Sequence, residues 1–140
     1  MLFSNKTVII TGAAKGIGKG VALAFAPKGA SIVIADIDSE NGEKTASQIN
    51  ASGGNAIFVT TDVRVPSDIE NLMQIAINKF NNISILINNA GFCRWISPYE
   101  LPVEEWDDII NTNLRGTDAC FGGILHRRPH PSELHQSWMD

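Results

Sequence analysis

The chain has 140 residues, 44% of them hydrophobic, with a formal net charge of −4. That is one domain's length, and the acidic balance excludes nucleic acid as a main partner. The N-terminus has no basic stretch leading into an apolar one, and no apolar run nears the ~20 residues of a membrane span. The two cysteines, Cys93 and Cys120, form no CxxC pair. They read as reduced thiols of a cytoplasmic protein with neither signal peptide nor membrane contact.

Strand and helix patterns alternate from the start. Thr7 to Thr11 reads as a strand, and Gly16 to about Lys28 as a helix that Pro27 ends or bends. Ser31 to Ala35 is a β-branched strand. Ser39 to about Ala51 is a helix with Ser39 as candidate cap and Gly42 as a weakening residue. Asn55 to Thr60 is a third strand, and Ser67 to Phe80 a third helix with Ile69, Leu72, Met73, Ala76 and Phe80 at helical spacing. Ile83 to Ile87 is a fourth strand. Val103 to about Cys120 is a fourth helix with Trp106, Ile109, Ile110 and Leu114 on one stripe. This βαβαβαβα order calls for an α/β fold, a Rossmann-type doubly wound parallel sheet with four strands in the order 3-2-1-4.

The segments 1–125 and 126–140 differ in character. The first carries every periodic element. The second holds all three histidines, His126, His130 and His135, with two prolines and no strand period, and reads as an irregular tail. His126 and His130 have helical metal-pair spacing, but Pro129 between them argues against a regular helix, so no metal site is expected. Ser132 and Ser137 have no strand to place them, and no nucleophile elbow supports a hydrolase.

The segment Thr11-Gly12-Ala13-Ala14-Lys15-Gly16-Ile17-Gly18 joins the first strand to the first helix. Glycines let a backbone turn tightly and approach a pyrophosphate, while the unpaired N–H groups of a helix start face the anion. Such a loop alone is weak evidence. Three further features stand where a dinucleotide site needs them. Asp36 ends the second strand; its carboxylate suits ribose hydroxyls and repels a 2′-phosphate, favouring NAD over NADP. Lys15 is a mild counter-signal, as a cation that suits a 2′-phosphate. Asp62-Val63 follows the third strand, where a carboxylate suits an adenine amino group. Asn88-Asn89-Ala90-Gly91 follows the fourth, with small residues where cofactor and backbone meet. Read blandly, these are turn acids and an Asx-turn.

Taken together, Thr11-Gly12-x-x-x-Gly16-x-Gly18, Asp36, Asp62-Val63, Asn88-Asn89-Ala90-Gly91 and Asn113 resemble the short-chain dehydrogenase/reductase family in order and spacing, over about residues 5 to 120. The resemblance implies an NAD(P)-dependent oxidoreductase that interconverts alcohols and ketones. Gly12, Ala14, Lys15, Gly16, Ile17 and Gly18 would lie at the pyrophosphate and Asp36 at the adenosine ribose. Asp62 and Val63 would border the adenine, with Asn89 and Ala90 along the adenosine ribose and the cofactor's central part, and Gly91 beside them at the cofactor. Asn113 matches the family's active-site asparagine, which helps hold a water and a lysine in a proton relay.

The chain departs from the family at its proton donor. The family uses a tyrosine whose pKa is lowered by a lysine four residues on, with a serine upstream. Here the one tyrosine is Tyr99, Val103 stands four residues later, and the last lysine is Lys79. The expectation is a truncated family member: a cofactor-binding chain without catalysis of its own, or an unstable product. The fourth strand would then be an exposed apolar edge. That edge and the fourth helix, which the family often buries in a dimer interface, would promote homo-oligomerisation.

Overall fold

The computed structural model describes residues 1–125. The irregular tail expected over 126–140, with His126, His130, Ser132 and Ser137, lies outside the described residues.

Four parallel strands form one sheet in the order β3-β2-β1-β4: β1 (Thr7–Thr11), β2 (Ser31–Asp36), β3 (Asn55–Thr60) and β4 (Ile85–Ile87). β1 is central and pairs with β2 from Thr7–Ser31 to Thr11–Ala35. On its other side it pairs with β4 from Val8–Ile85 to Ile10–Ile87. Alternate residues of a strand face opposite sides of the sheet, so a sheet covered on both faces needs unbroken apolar strands. Val8, Ile10, Ile32 and Ile34 pack on one side with Ala22, Ala46 and Ile49. Ile9, Val33, Ala35 and Val59 pack on the other with Leu72, Met73, Ala76 and Cys120.

The helices are α1 (Gly16–Phe25), α2 (Ser39–Ala51), α3 (Pro66–Phe80), α4 (Val103–Ile110) and α5 (Gly116–Leu125). Pro27 converts the end of α1 into a 3₁₀ turn over Ala26–Lys28, and Gly29 follows at φ 92°. The cap of α2 is Asp38 rather than Ser39. The Asp38 carboxylate accepts from the Asn41 N–H at 3.1 Å, while the Ser39 hydroxyl lies 3.2 Å from that of Thr60. Gly42 does more than weaken α2: the ring of Phe58 fills the place a Cβ would occupy.

Two expectations change in the fourth unit. β4 is three residues long, because Ser84 serves the strand start with its side chain and backbone. Its hydroxyl accepts from the Thr7 N–H at 3.3 Å, and its own N–H donates to the Thr7 carbonyl at 2.9 Å. The helix expected from Val103 to about Cys120 is unbroken and runs on to Leu125, with a five-residue π segment (Asn111–Arg115) between α4 and α5. A π segment widens the turn and re-aims the residues within it. Here the Asn113 amide grips the backbone of Phe92, accepting from its N–H at 3.0 Å and donating to its carbonyl at 2.8 Å.

β4 lies at the sheet edge, and α4 buries no residue. On the Trp106 stripe, Trp106 is 54% exposed and Leu114 63%. No helix among the described residues is long and apolar enough to cross a membrane.

Candidate functional site

The carboxyl ends of β1 to β4 and the loops that follow them enclose a cleft of about 570 Å³. This is the size of a small-molecule site, at the sheet end where open α/β folds take ligands.

One wall is the loop after β1, where three glycines are needed for different reasons. Gly12 has φ 66°, and a Cβ on it would stand 2.8 Å from the Ala90 Cα. Gly16 has φ 62° with nothing within 4 Å of a Cβ, so backbone conformation alone selects it. Gly18 lies at the crossing of α1 with the strand ends, and a Cβ there would meet the Gly12 carbonyl at 2.5 Å. The first N–H groups of α1 have no intrahelical partner, by the geometry of any helix start.

Asn89 ties β4 to this loop. Its Nδ2 donates to the carbonyls of Thr11 at 3.1 Å and Gly12 at 3.0 Å. The Thr11 hydroxyl accepts from the N–H groups of Asn89 at 3.1 Å and Ala90 at 3.0 Å. Ala90 and Gly91 line the cleft beside Asn89.

Asp36 lines the cleft beside this loop, its carboxylate held in place by backbone. Oδ2 accepts from the Ala14 N–H and Oδ1 from the Asp38 N–H, both at 3.0 Å. Each oxygen keeps a further lone pair for a hydroxyl donor. Lys15 lines the cleft with a side chain 77% exposed, its Nζ 3.9 Å from Asp38. Ala14 is buried, and Ile17 lines the cleft as an exposed residue.

Asp62 and Val63 form the floor near β3. Arg64, which the sequence did not single out, occupies the Asp62 carboxylate. Its Nη2 sits 2.7 Å from Oδ2, its Nε 3.0 Å from Oδ1, and its Nη1 reaches Asp108 on α4 at 3.0 Å. The side-chain hydrogen bonds from Arg64 hold the Asp62 carboxyl below the usual carboxylate range. Val63 is buried against Gly116.

Asn113 stands behind the cleft, committed to Phe92, while its neighbour Thr112 lines the wall. Tyr99 is fully exposed in a turn closed by the Glu100 N–H donating to the Ser97 carbonyl at 2.9 Å. Among the described residues, no cluster of three His, Cys, Asp or Glu is placed to hold a metal ion.

The short chain dehydrogenase family model matches residues 6–127. The chain belongs to the short-chain dehydrogenase family. The family's members bind nicotinamide dinucleotides, and the cleft fits one: Gly12, Ala90 and Gly91 line it with backbone and no bulky side chain. The chain is 38% identical over 124 residues to (2S)-[(R)-hydroxy(phenyl)methyl]succinyl-CoA dehydrogenase subunit BbsD of Thauera aromatica, which covers 89% of this chain and 50% of that protein. An uncharacterized oxidoreductase of Thermotoga maritima is 33% identical over 119 residues, 85% of this chain and 46% of that one. The fold is similar to that of a short-chain type dehydrogenase/reductase from Mycobacterium marinum, with a TM-score of 0.83 at 32% identity over 86% of this chain and 49% of that one. This short-chain dehydrogenase chain thus spans about half the length of the curated relatives it matches.

Proposed function

We infer that residues 1–125 form a domain that binds NAD in the cleft, as the cofactor half of an alcohol/ketone oxidoreductase. The observation that carries this reading is the Asp36 carboxylate, fixed by the Ala14 and Asp38 N–H groups and open to the cleft. A held carboxylate accepts from both hydroxyls of a ribose and repels a 2′-phosphate that replaces one of them. The loop from Gly12 to Gly18 takes the diphosphate, Asp62 and Val63 border the adenine, and Asn89, Ala90 and Gly91 line the central part. When bound, the cofactor supplies the hydride acceptor or donor.

Turnover by this chain alone is not part of the reading. A proton must reach the developing alkoxide, and loss of a general acid costs about 10²–10⁴ in rate. Tyr99 has Val103, not lysine, four residues on. Asn113, the proposed relay residue, has its amide committed to Phe92. The exposed stripe of α4 and the β4 edge favour association with another copy.

Titration of the chain with NADH and NADPH, followed by nicotinamide fluorescence, tests the proposal. NADH should bind at least about tenfold more tightly. Asp36→Asn keeps an acceptor for the Ala14 N–H, removes the charge, and should narrow the preference. Equal binding of the two cofactors by the unaltered chain would overturn the NAD assignment. Clear oxidation of a panel of alcohols would overturn the claim about turnover.

A further inference from the structure

Thr45 lies on α2, has no cofactor role assigned above, and is fully buried. A threonine inside a helix usually returns its hydroxyl to the helix's own backbone. This one donates instead to the Ala14 carbonyl at 2.8 Å, 31 residues away in the glycine loop. Its neighbours on the buried face of α2 are Gly42, Ala46 and Ile49, so a hydroxyl occupies what is otherwise an apolar position.

Both backbone polar groups of Ala14 are thereby held, its N–H by the Asp36 carboxylate and its carbonyl by Thr45. A trans peptide is planar, and its C=O and N–H point in opposite directions. Drawing the Ala14 carbonyl into α2 therefore turns the next N–H, that of Lys15, away from α2. Lys15 lines the cleft at the start of α1. A peptide flipped the other way would face the same space with a carbonyl oxygen, which repels an anion.

We propose that Thr45 is a positioning residue for anion recognition: by holding the Ala14 carbonyl it aims the Lys15 N–H at the diphosphate of the bound dinucleotide. This rests on the cofactor reading above. The effect belongs to the diphosphate and not to the adenosine, because Thr45 holds the Ala14–Lys15 peptide, whereas Asp36 is held by the N–H of the preceding peptide and by Asp38, and Asp62 by Arg64.

The test compares the 140-residue chain with Thr45→Val and Thr45→Ser, using NADH, ADP-ribose and adenosine as probes and amide chemical shifts as the readout. Thr45→Val keeps the shape and removes the donor. It should weaken NADH and ADP-ribose by about tenfold and leave adenosine within about twofold, while Thr45→Ser binds like the unaltered chain. Equal weakening of all three ligands, or no weakening, overturns the positioning role. Should Thr45→Val fail to fold, the unaltered chain decides: the Lys15 amide resonance should move with ADP-ribose and stay still with adenosine, and any other pattern overturns the proposal. An unaltered chain that binds none of the probes defeats the cofactor reading, and the role of Thr45 with it.

Discussion

Asn89 and Thr11 clasp each other across the β1–β4 boundary. The Asn89 amide donates to the Thr11 carbonyl at 3.1 Å, and the Thr11 hydroxyl accepts from the Asn89 N–H at 3.1 Å. The same amide also holds the Gly12 carbonyl at 3.0 Å, so one side chain sets both the strand end and the loop start. Asn89→Ala leaves these carbonyls without that donor. It should lower stability by about 1–3 kcal/mol and weaken NADH binding by more than about tenfold. Urea unfolding and NADH titration on the same protein check both effects.

Gly12 and Gly16 should respond differently to alanine. Both have positive φ, but only Gly12 would also drive its Cβ into the Ala90 backbone. Gly16→Ala should cost about 1–2 kcal/mol, the conformational term alone. Gly12→Ala should cost more and open the clasp between β1 and β4. Urea melts of the two variants give the order, and equal losses would show that the Ala90 contact adds nothing.

The Asp62–Arg64 pair predicts an acid limb of stability. The Asp62 carboxyl lies below its ordinary value of 3.8, chiefly through the Arg64 side-chain hydrogen bonds. A group whose pKa is lowered on folding contributes stability above its unfolded pKa, and loses it as pH falls through the folded one. The contribution is therefore whole well above pH 3.8 and fades below it. Arg64→Met should flatten this limb while leaving the pH dependence above pH ~6 unchanged. Urea titrations across that range measure it.

The two thiols should separate cleanly. Cys93 is exposed and Cys120 is buried between α5 and α3, where burial pushes its thiol up to about 11. The thiolate is the reactive form, so a disulfide reagent at neutral pH should label Cys93 at once and Cys120 only on unfolding. Rapid labelling of both in the folded protein would show that α5 detaches from the sheet.

The open edge and α4 predict association. Trp106 on α4 and Leu114 on the π segment after it are exposed, neither segment has a buried residue, and among the described residues β4 has strand pairing on one side only. Sedimentation velocity should show a mass that rises with concentration, and Trp106→Glu should reduce that rise.

Much of this was legible along the chain. The βα alternation, the glycine spacing and Asp36 at the end of β2 follow from local rules: apolar runs, turn residues and strand length act within a few positions. The strand order also follows, because parallel crossovers leave few alternatives. The π segment inside the last helix was not legible, since Asn113 reaches Phe92, 21 residues earlier. The cap of α2 is Asp38, one residue before the Ser39 that the sequence offers, because the Ser39 hydroxyl finds a partner on β3. Arg64 reads locally as a charged loop residue, and only folding brings Asp108 to it from 44 positions away.

By itself, then, the sequence determined a parallel sheet with a glycine loop and a carboxylate at one end, all set by neighbours in the chain. Tertiary structure decided how the pieces are held. Asn89 is spent on Thr11 and Gly12, Asp62 on Arg64, and Thr45 on the Ala14 carbonyl. Three of these four bonds join residues at least 31 positions apart, and which donor meets which acceptor at that range depends on how the helices pack on the sheet. The fourth, between Asp62 and Arg64, is local. There the fold contributes Asp108, which gives the same guanidinium its second carboxylate.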